Sequence, residues 1–85
     1  MDKSLPLIDL HTASENGDVE AVSLYCEQGY NLNTVDSQRK TALHLSSENG
    51  HVDVTQLLLE ANCVVNAKDN FGNTALHYAA REWSQ

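Results

Sequence analysis

The chain has 85 residues, of which 41% are hydrophobic and 20% charged, and its formal net charge is −7. This bounds it to one small folded domain with a modest core and thin stability. It excludes nucleic acid and anionic membranes as partners, because phosphate binding rests on Lys and Arg and only five such residues occur. No segment is long and apolar enough to span a bilayer. Met1 to Pro6 lacks the apolar stretch of an export signal, so a reducing compartment, the cytoplasm or the nucleus, is the expected home.

One step of 33 residues organises the chain: it separates His11 from His44 and His44 from His77. The same register pairs Gly17 with Gly50, Val19 with Val52, Leu24 with Leu57, Asn33 with Asn66 and Asp36 with Asp69. Ser14-Glu15-Asn16-Gly17 recurs as Ser47-Glu48-Asn49-Gly50, and Thr41-Ala42-Leu43-His44 recurs as Thr74-Ala75-Leu76-His77. Repetition at such a period marks a stacked architecture in which each unit buries its apolar face against the next.

The first period, residues 3–35, starts weakly. Ile8-Asp9-Leu10-His11 replaces the Thr-Ala-Leu-His tetrad, as expected of a terminal capping unit. The second, residues 36–68, is complete. Thr41 is a good helix N-cap for a short helix over 42–49, and Gly50 can end that helix in the left-handed conformation. A second helix is predicted from Val52 to Ala61, with Val54, Leu57 and Leu58 on one face. Val64 and Val65 lead into an extended stretch, and Asp69-Asn70-Phe71-Gly72 reads as a tight turn. The third period, residues 69–85, supplies a first helix after Thr74. Trp83 then stands where Gly17 and Gly50 stood. Residues 1–85 are thus one domain of about two and a half units.

The 33-residue step, the Thr-Ala-Leu-His starts, and Leu57-Leu58-Leu59 followed by Val65-Asn66-Ala67 resemble ankyrin repeats over nearly the whole chain. The resemblance implies an all-α helix-turn-helix solenoid with short extended β-hairpin fingers. It also implies a protein–protein interaction module. The concave face of fingers and first helices would bind another protein through Ser37, Gln38 and Lys40 in one finger and Asn70, Phe71 and Asn73 in the next. On the first helices the contact positions are Glu48, Asn49, Arg81 and Glu82. The family's usual Pro after Thr is Ala42 and Ala75 here, a small loss because Ala is a good helix former. The family's turn glycine is Gly72 in one finger and Arg39 in the other, where a different turn or a strained positive φ is expected.

In the family the tetrad histidine ties its helix start to the neighbouring finger, so Thr41, His44, Thr74 and His77 are expected to be structural. Stacked layers are roughly 10 Å apart, the width of a helix. The histidines therefore form a ladder and cannot converge on a zinc ion. Ser47, His44 and Asp53 have no spacing that supports a catalytic constellation, and no glycine-rich phosphate loop is present. The chain is therefore expected to be no enzyme and to need no cofactor or metal.

Alternative readings make the chain an N-terminal docking or regulatory arm of a larger enzyme or channel, or a substrate of an asparaginyl hydroxylase. For the latter, the resemblance puts Asn66 at the modified position. Tyr25, aligned with Leu58, is expected in the core, and Tyr78 at the core edge or on the concave face. Cys26 and Cys63 follow no metal or redox spacing and are expected to act as small hydrophobes. Cys26, aligned with Leu59, should be the more protected. Leu76 and Ala79 should lose part of their cover, with Trp83 folding over that flank or a homodimer forming through it.

Overall fold

The computed structural model describes residues 5–83, with Glu82 and Trp83 described by backbone alone. Among the described residues five helices follow in order: α1 (Leu10–Asn16), α2 (Val19–Glu27), α3 (Ala42–Glu48), α4 (Val52–Glu60) and α5 (Ala75–Trp83). Their starts follow from the capping side chains. Thr41 caps α3 by accepting a hydrogen bond from the His44 N–H. The first unit has Ile8 at the matching position, which cannot cap. Asp9 does so one residue later, accepting from the Thr12 N–H at 3.1 Å and the Thr12 hydroxyl at 2.7 Å. Asp18 caps α2 through the Ala21 N–H.

The helix ends are set by left-handed residues. Gly29 (φ 69°) stops α2, with its own N–H bonded to the Cys26 carbonyl and the Tyr30 N–H to the Tyr25 carbonyl. Asn62 (φ 63°) does the same for α4, where the Cys63 N–H returns to the Leu58 carbonyl at 3.3 Å. This paired closure folds the second residue past the cap back onto the helix. Tyr30 lands edge-on against Tyr25, with ring centres 4.7 Å apart. Cys63 lands in the core at 8% exposure, whereas Cys26 is only half-buried. The expected order of the two cysteines is therefore reversed, because the turn at Asn62 carries Cys63 inward.

Helices α1, α3 and α5 pack side by side in one row, and α2 and α4 form a second row behind them. Val22, Val54 and Leu58 are sealed between the rows, and Leu10, Leu43 and Tyr25 join them. Each such large side chain contributes about 1.5–3 kcal/mol by leaving water. Tyr25 also satisfies its hydroxyl on the Ile8 carbonyl at 2.9 Å. Ser14 and Ser47 are fully buried where the helices approach closely, and the Ser14 hydroxyl bonds the Leu10 carbonyl at 2.8 Å. His51 is half-buried: its ring reaches the Glu15 carbonyl at 2.9 Å and lies over Gly17. A Cβ at Gly17 would sit 2.7 Å from that ring, so a larger residue would have to displace His51 and also take a strained positive φ.

The row of first helices ends unevenly. Leu76 is 71% exposed, as anticipated, but Ala79 remains buried at 5%. The side chain of Trp83 lies outside the described residues.

Candidate protein-binding face

Both fingers are organised by an aspartate at the same register. Asp36 Oδ1 accepts from the Gln38 and Lys40 N–H groups at 2.9 and 2.8 Å. Asp69 Oδ1 accepts from the Phe71 and Asn73 N–H groups, both at 2.9 Å. In the backbone, the Arg39 N–H bonds the Asp36 carbonyl and the Asp36 N–H bonds the Lys40 carbonyl. The second finger repeats this with Gly72, Asp69 and Asn73. That is a tight turn closed by one residue in the left-handed region. The residue is Gly72 (φ 77°) in one finger and Arg39 (φ 63°) in the other. Arg39 thus keeps the glycine conformation, at a steric cost of about 1–2 kcal/mol. The fingers are turns with a single hairpin-like pair of bonds, and no strand occurs among the described residues.

Tyr78 fixes the second finger from below. Its hydroxyl donates a short hydrogen bond to Asp69 Oδ2, and the phenol is 6% exposed. Burial alone would raise the Asp69 pKa. The bonds from Tyr78, Asn73 and Phe71 outweigh it and hold the carboxyl below its usual range. Burial, together with the neighbouring Asp69 carboxylate, pushes the Tyr78 phenol upward.

Histidines join the layers. His44 Nδ1 accepts from the Thr41 N–H at 3.0 Å, which leaves Nε2 to donate to the Asn73 carbonyl at 2.9 Å. His11 Nε2 reaches the Thr34 and Lys40 carbonyls at 3.1 and 3.0 Å. His77 Nδ1 accepts from the Thr74 N–H at 3.0 Å. No group of three or more His, Cys, Asp or Glu side chains with metal-holding geometry occurs among the described residues.

The anticipated contact residues divide. Ser37, Gln38 and Asn70 are exposed at the finger tips. The two tips are joined by the Asn70 N–H to the Gln38 carbonyl at 2.9 Å and the Asn70 amide to the Ser37 carbonyl at 3.4 Å. Phe71 stands 68% exposed on the second tip. Glu48, Asn49 and Arg81 line a polar groove of about 310 Å³ with Tyr78 at its base. Asn66 is exposed beyond α4. The side chain of Glu82 lies outside the described residues.

Lys40 departs from expectation, because its side chain is 11% exposed and its ammonium bonds Glu48 at 2.8 Å above the Tyr78 ring. Burial pushes the Lys40 pKa down, but the Glu48 carboxylate outweighs it and raises the net value. Asn73 is also committed internally, since its backbone closes the finger and accepts from His44. The organising role of Asp36 and Asp69 was not anticipated, although their recurrence was visible in the sequence.

A family model described as ankyrin repeats (3 copies) matches residues 10–85. No curated protein sequence matches the chain. Among solved structures, the human ASB11 ankyrin repeat domain is 34% identical to this chain, covers 86% of it and superposes with a TM-score of 0.79. The chain spans 33% of that structure's length. Ankyrin repeats are generally protein–protein interaction modules, and their fold is an interaction scaffold without enzymatic machinery of its own. By its repeat register, its paired helices and the match across residues 10–85, this chain belongs to the ankyrin repeat family.

Proposed function

We propose that the finger tips and the groove between α3 and α5 bind another protein, with Phe71 as the apolar anchor. The observation that carries this reading is the exposure of Phe71 on a turn that Asp69 has already fixed with two backbone hydrogen bonds. An aromatic on a backbone that is already fixed has only its side-chain freedom to lose when a partner covers it, and aromatics dominate binding energies. The surroundings are polar, with Gln38, Asn49 and Arg81 exposed. A protein surface with one apolar centre and a polar rim fits this better than a small apolar ligand does. The acidic balance of the chain speaks against nucleic acid and anionic membrane.

A second reading is favoured by the span of the comparison. The chain matches one third of a longer array, as a docking or regulatory stretch of a larger protein would. Its two unbridged cysteines are in keeping with a reducing compartment such as the cytoplasm.

A photo-crosslinking residue at position 71, compared with one at the exposed Glu20 on α2, tests the assignment of faces. A discrete protein adduct at 71 that is absent at 20 is the expected result. Identical adducts from both positions, or none at 71, would remove the concave face from the role.

A further inference from the structure

Charge is sorted between the two sides of the stack. The outer row, α2 with its cap and α4, carries Asp18, Glu20, Glu27, Asp53 and Glu60 and no Lys or Arg. The basic side chains among the described residues stand elsewhere. Arg39 and Lys40 lie in one finger, Lys68 directly precedes the other, and Arg81 is on α5. The acids beside them are occupied. Asp69 is buried and accepts from the Tyr78 hydroxyl and from two backbone N–H groups. Asp36 holds the Gln38 and Lys40 N–H groups. Glu48 bonds the Lys40 ammonium at 2.8 Å. Arg81 lines the same groove as Glu48, is exposed, and has no carboxylate against it among the described residues. Glu15 is two helices away, about 20 Å at the width of a helix. The groove does not owe its opening to the end of the row. Glu48 lies on α3, with α1 and α5 packed on either side, and still keeps 38% of its side chain exposed. Phe71 belongs to the finger that this groove holds, because Tyr78 at the base bonds Asp69 and takes the Asn73 amide at 3.4 Å.

We infer that the partner of the concave face presents an acidic stretch, with a carboxylate on the Arg81 guanidinium and an apolar side chain against Phe71. Resting on the concave face as the binding surface, this adds the chemistry of what the face takes. A guanidinium without a partner offers a planar fork of N–H donors, which a carboxylate meets with two parallel bonds. A Lys or Arg from the partner would instead meet Arg81 as a like charge. It would also find Glu48 already taken, because the Lys40 ammonium is held between Glu48 and the Tyr78 ring. The net charge of −7 taken as a whole favours the opposite, a basic segment drawn to the protein by its long-range field. The local arrangement and the net charge thus give opposite preferences, which separates them by experiment.

The probe is a displayed library of random dodecapeptides, selected on the 85-residue chain at about 0.15 M salt. Enriched peptides are synthesised and titrated by fluorescence anisotropy against the wild-type chain, Arg81→Glu, Arg81→Gln and Phe71→Ala, with each fold checked by circular dichroism. The expected result is enrichment of Asp and Glu beside a Leu, Ile or aromatic residue. Arg81→Glu should then lose at least about tenfold in affinity, since like charges brought together are costly. Replacing the peptide's carboxylate with Lys should restore binding to Arg81→Glu. Should that variant not fold, Arg81→Gln, which removes the charge alone, should still weaken binding. Acidic peptides that bind both Arg81 variants as tightly as the wild type overturn the inference. Peptides without an acidic excess that bind through Phe71 overturn it too, and leave the binding face standing. Basic peptides that ignore both Arg81 and Phe71 overturn the inference and the face together. Absence of any enriched peptide also overturns the inference, while the crosslink at position 71 still decides the face.

Discussion

His44 and Asn73 sit 29 residues apart in sequence, and the imidazole Nε2 of one donates to the backbone carbonyl of the other at 2.9 Å. The same ring accepts from the Thr41 N–H, so it joins the start of α3 to the closing residue of the next finger. His11 repeats the arrangement one layer earlier, reaching the Lys40 carbonyl. His11 and His44 are struts between layers, and they help hold the shape of the concave face.

Replacing His44 with Ala strands the buried Thr41 N–H and leaves the Asn73 carbonyl with the Asp69 N–H alone. The expected loss is about 1–3 kcal/mol of stability, the cost of stranding buried polar groups. Thermal melts check this. Adding a chelator to the wild-type chain should leave the melting temperature where it was.

Tyr78→Phe removes one of the three hydrogen bonds that favour the ionised Asp69. A hydrogen bond to a charged group contributes about 1.5–3 kcal/mol, and that loss is expected near neutral pH. A carboxyl whose folded pKa lies below its unfolded value stabilises the fold above the unfolded pKa, about 3.9 for Asp. That stability disappears as pH falls through the folded value. Without the Tyr78 bond the folded pKa of Asp69 rises, so acid unfolding of Tyr78→Phe should begin at a higher pH than in the wild type. Coincident acid-unfolding curves would show that the bond contributes nothing.

Arg39→Gly should stabilise the chain. The left-handed conformation at Arg39 costs about 1–2 kcal/mol for an L side chain, and glycine relieves it while adding some freedom to the unfolded chain. A net gain of about 0.5–1 kcal/mol in denaturant unfolding is expected. The reverse change, Gly72→Arg, should cost a similar amount.

Thiol labelling of the native chain should proceed faster at Cys26 than at Cys63. Burial raises both thiols above their ordinary pKa, which slows both at neutral pH. Cys63 has less surface to offer. Mass spectrometry of partly labelled protein reads the order directly.

Most of the fold was legible because one register runs through it. Thr41, Gly50 and Thr74 announced helix boundaries through local chemistry that survives any packing. The places where the sequence misled are those where backbone conformation or tertiary contact decides. Asn62 does not announce a left-handed turn as a glycine does, so the inward swing of Cys63 was not foreseen. Lys40 looked like a free finger residue, yet Glu48 and the Tyr78 ring stand within its reach once α3 and α5 are side by side. Ile8 hid the start of α1, because Asp9 caps from the next position. For the binding face, exposure of Phe71 followed from its place in a turn. The alignment alone could not separate Gln38, which faces solvent, from Lys40, which does not.

The most direct test is the affinity of the protein crosslinked through position 71, purified and titrated against the wild-type chain and Phe71→Ala. Loss of an anchoring aromatic costs about 1–3 kcal/mol, so binding should weaken by roughly 5- to 150-fold. The melting temperature should hardly change, since Phe71 covers little of the core. A Glu20→Ala control on the outer row should bind like the wild type. Unchanged affinity of Phe71→Ala, with the fold intact, would contradict the assignment of the concave face as the binding surface.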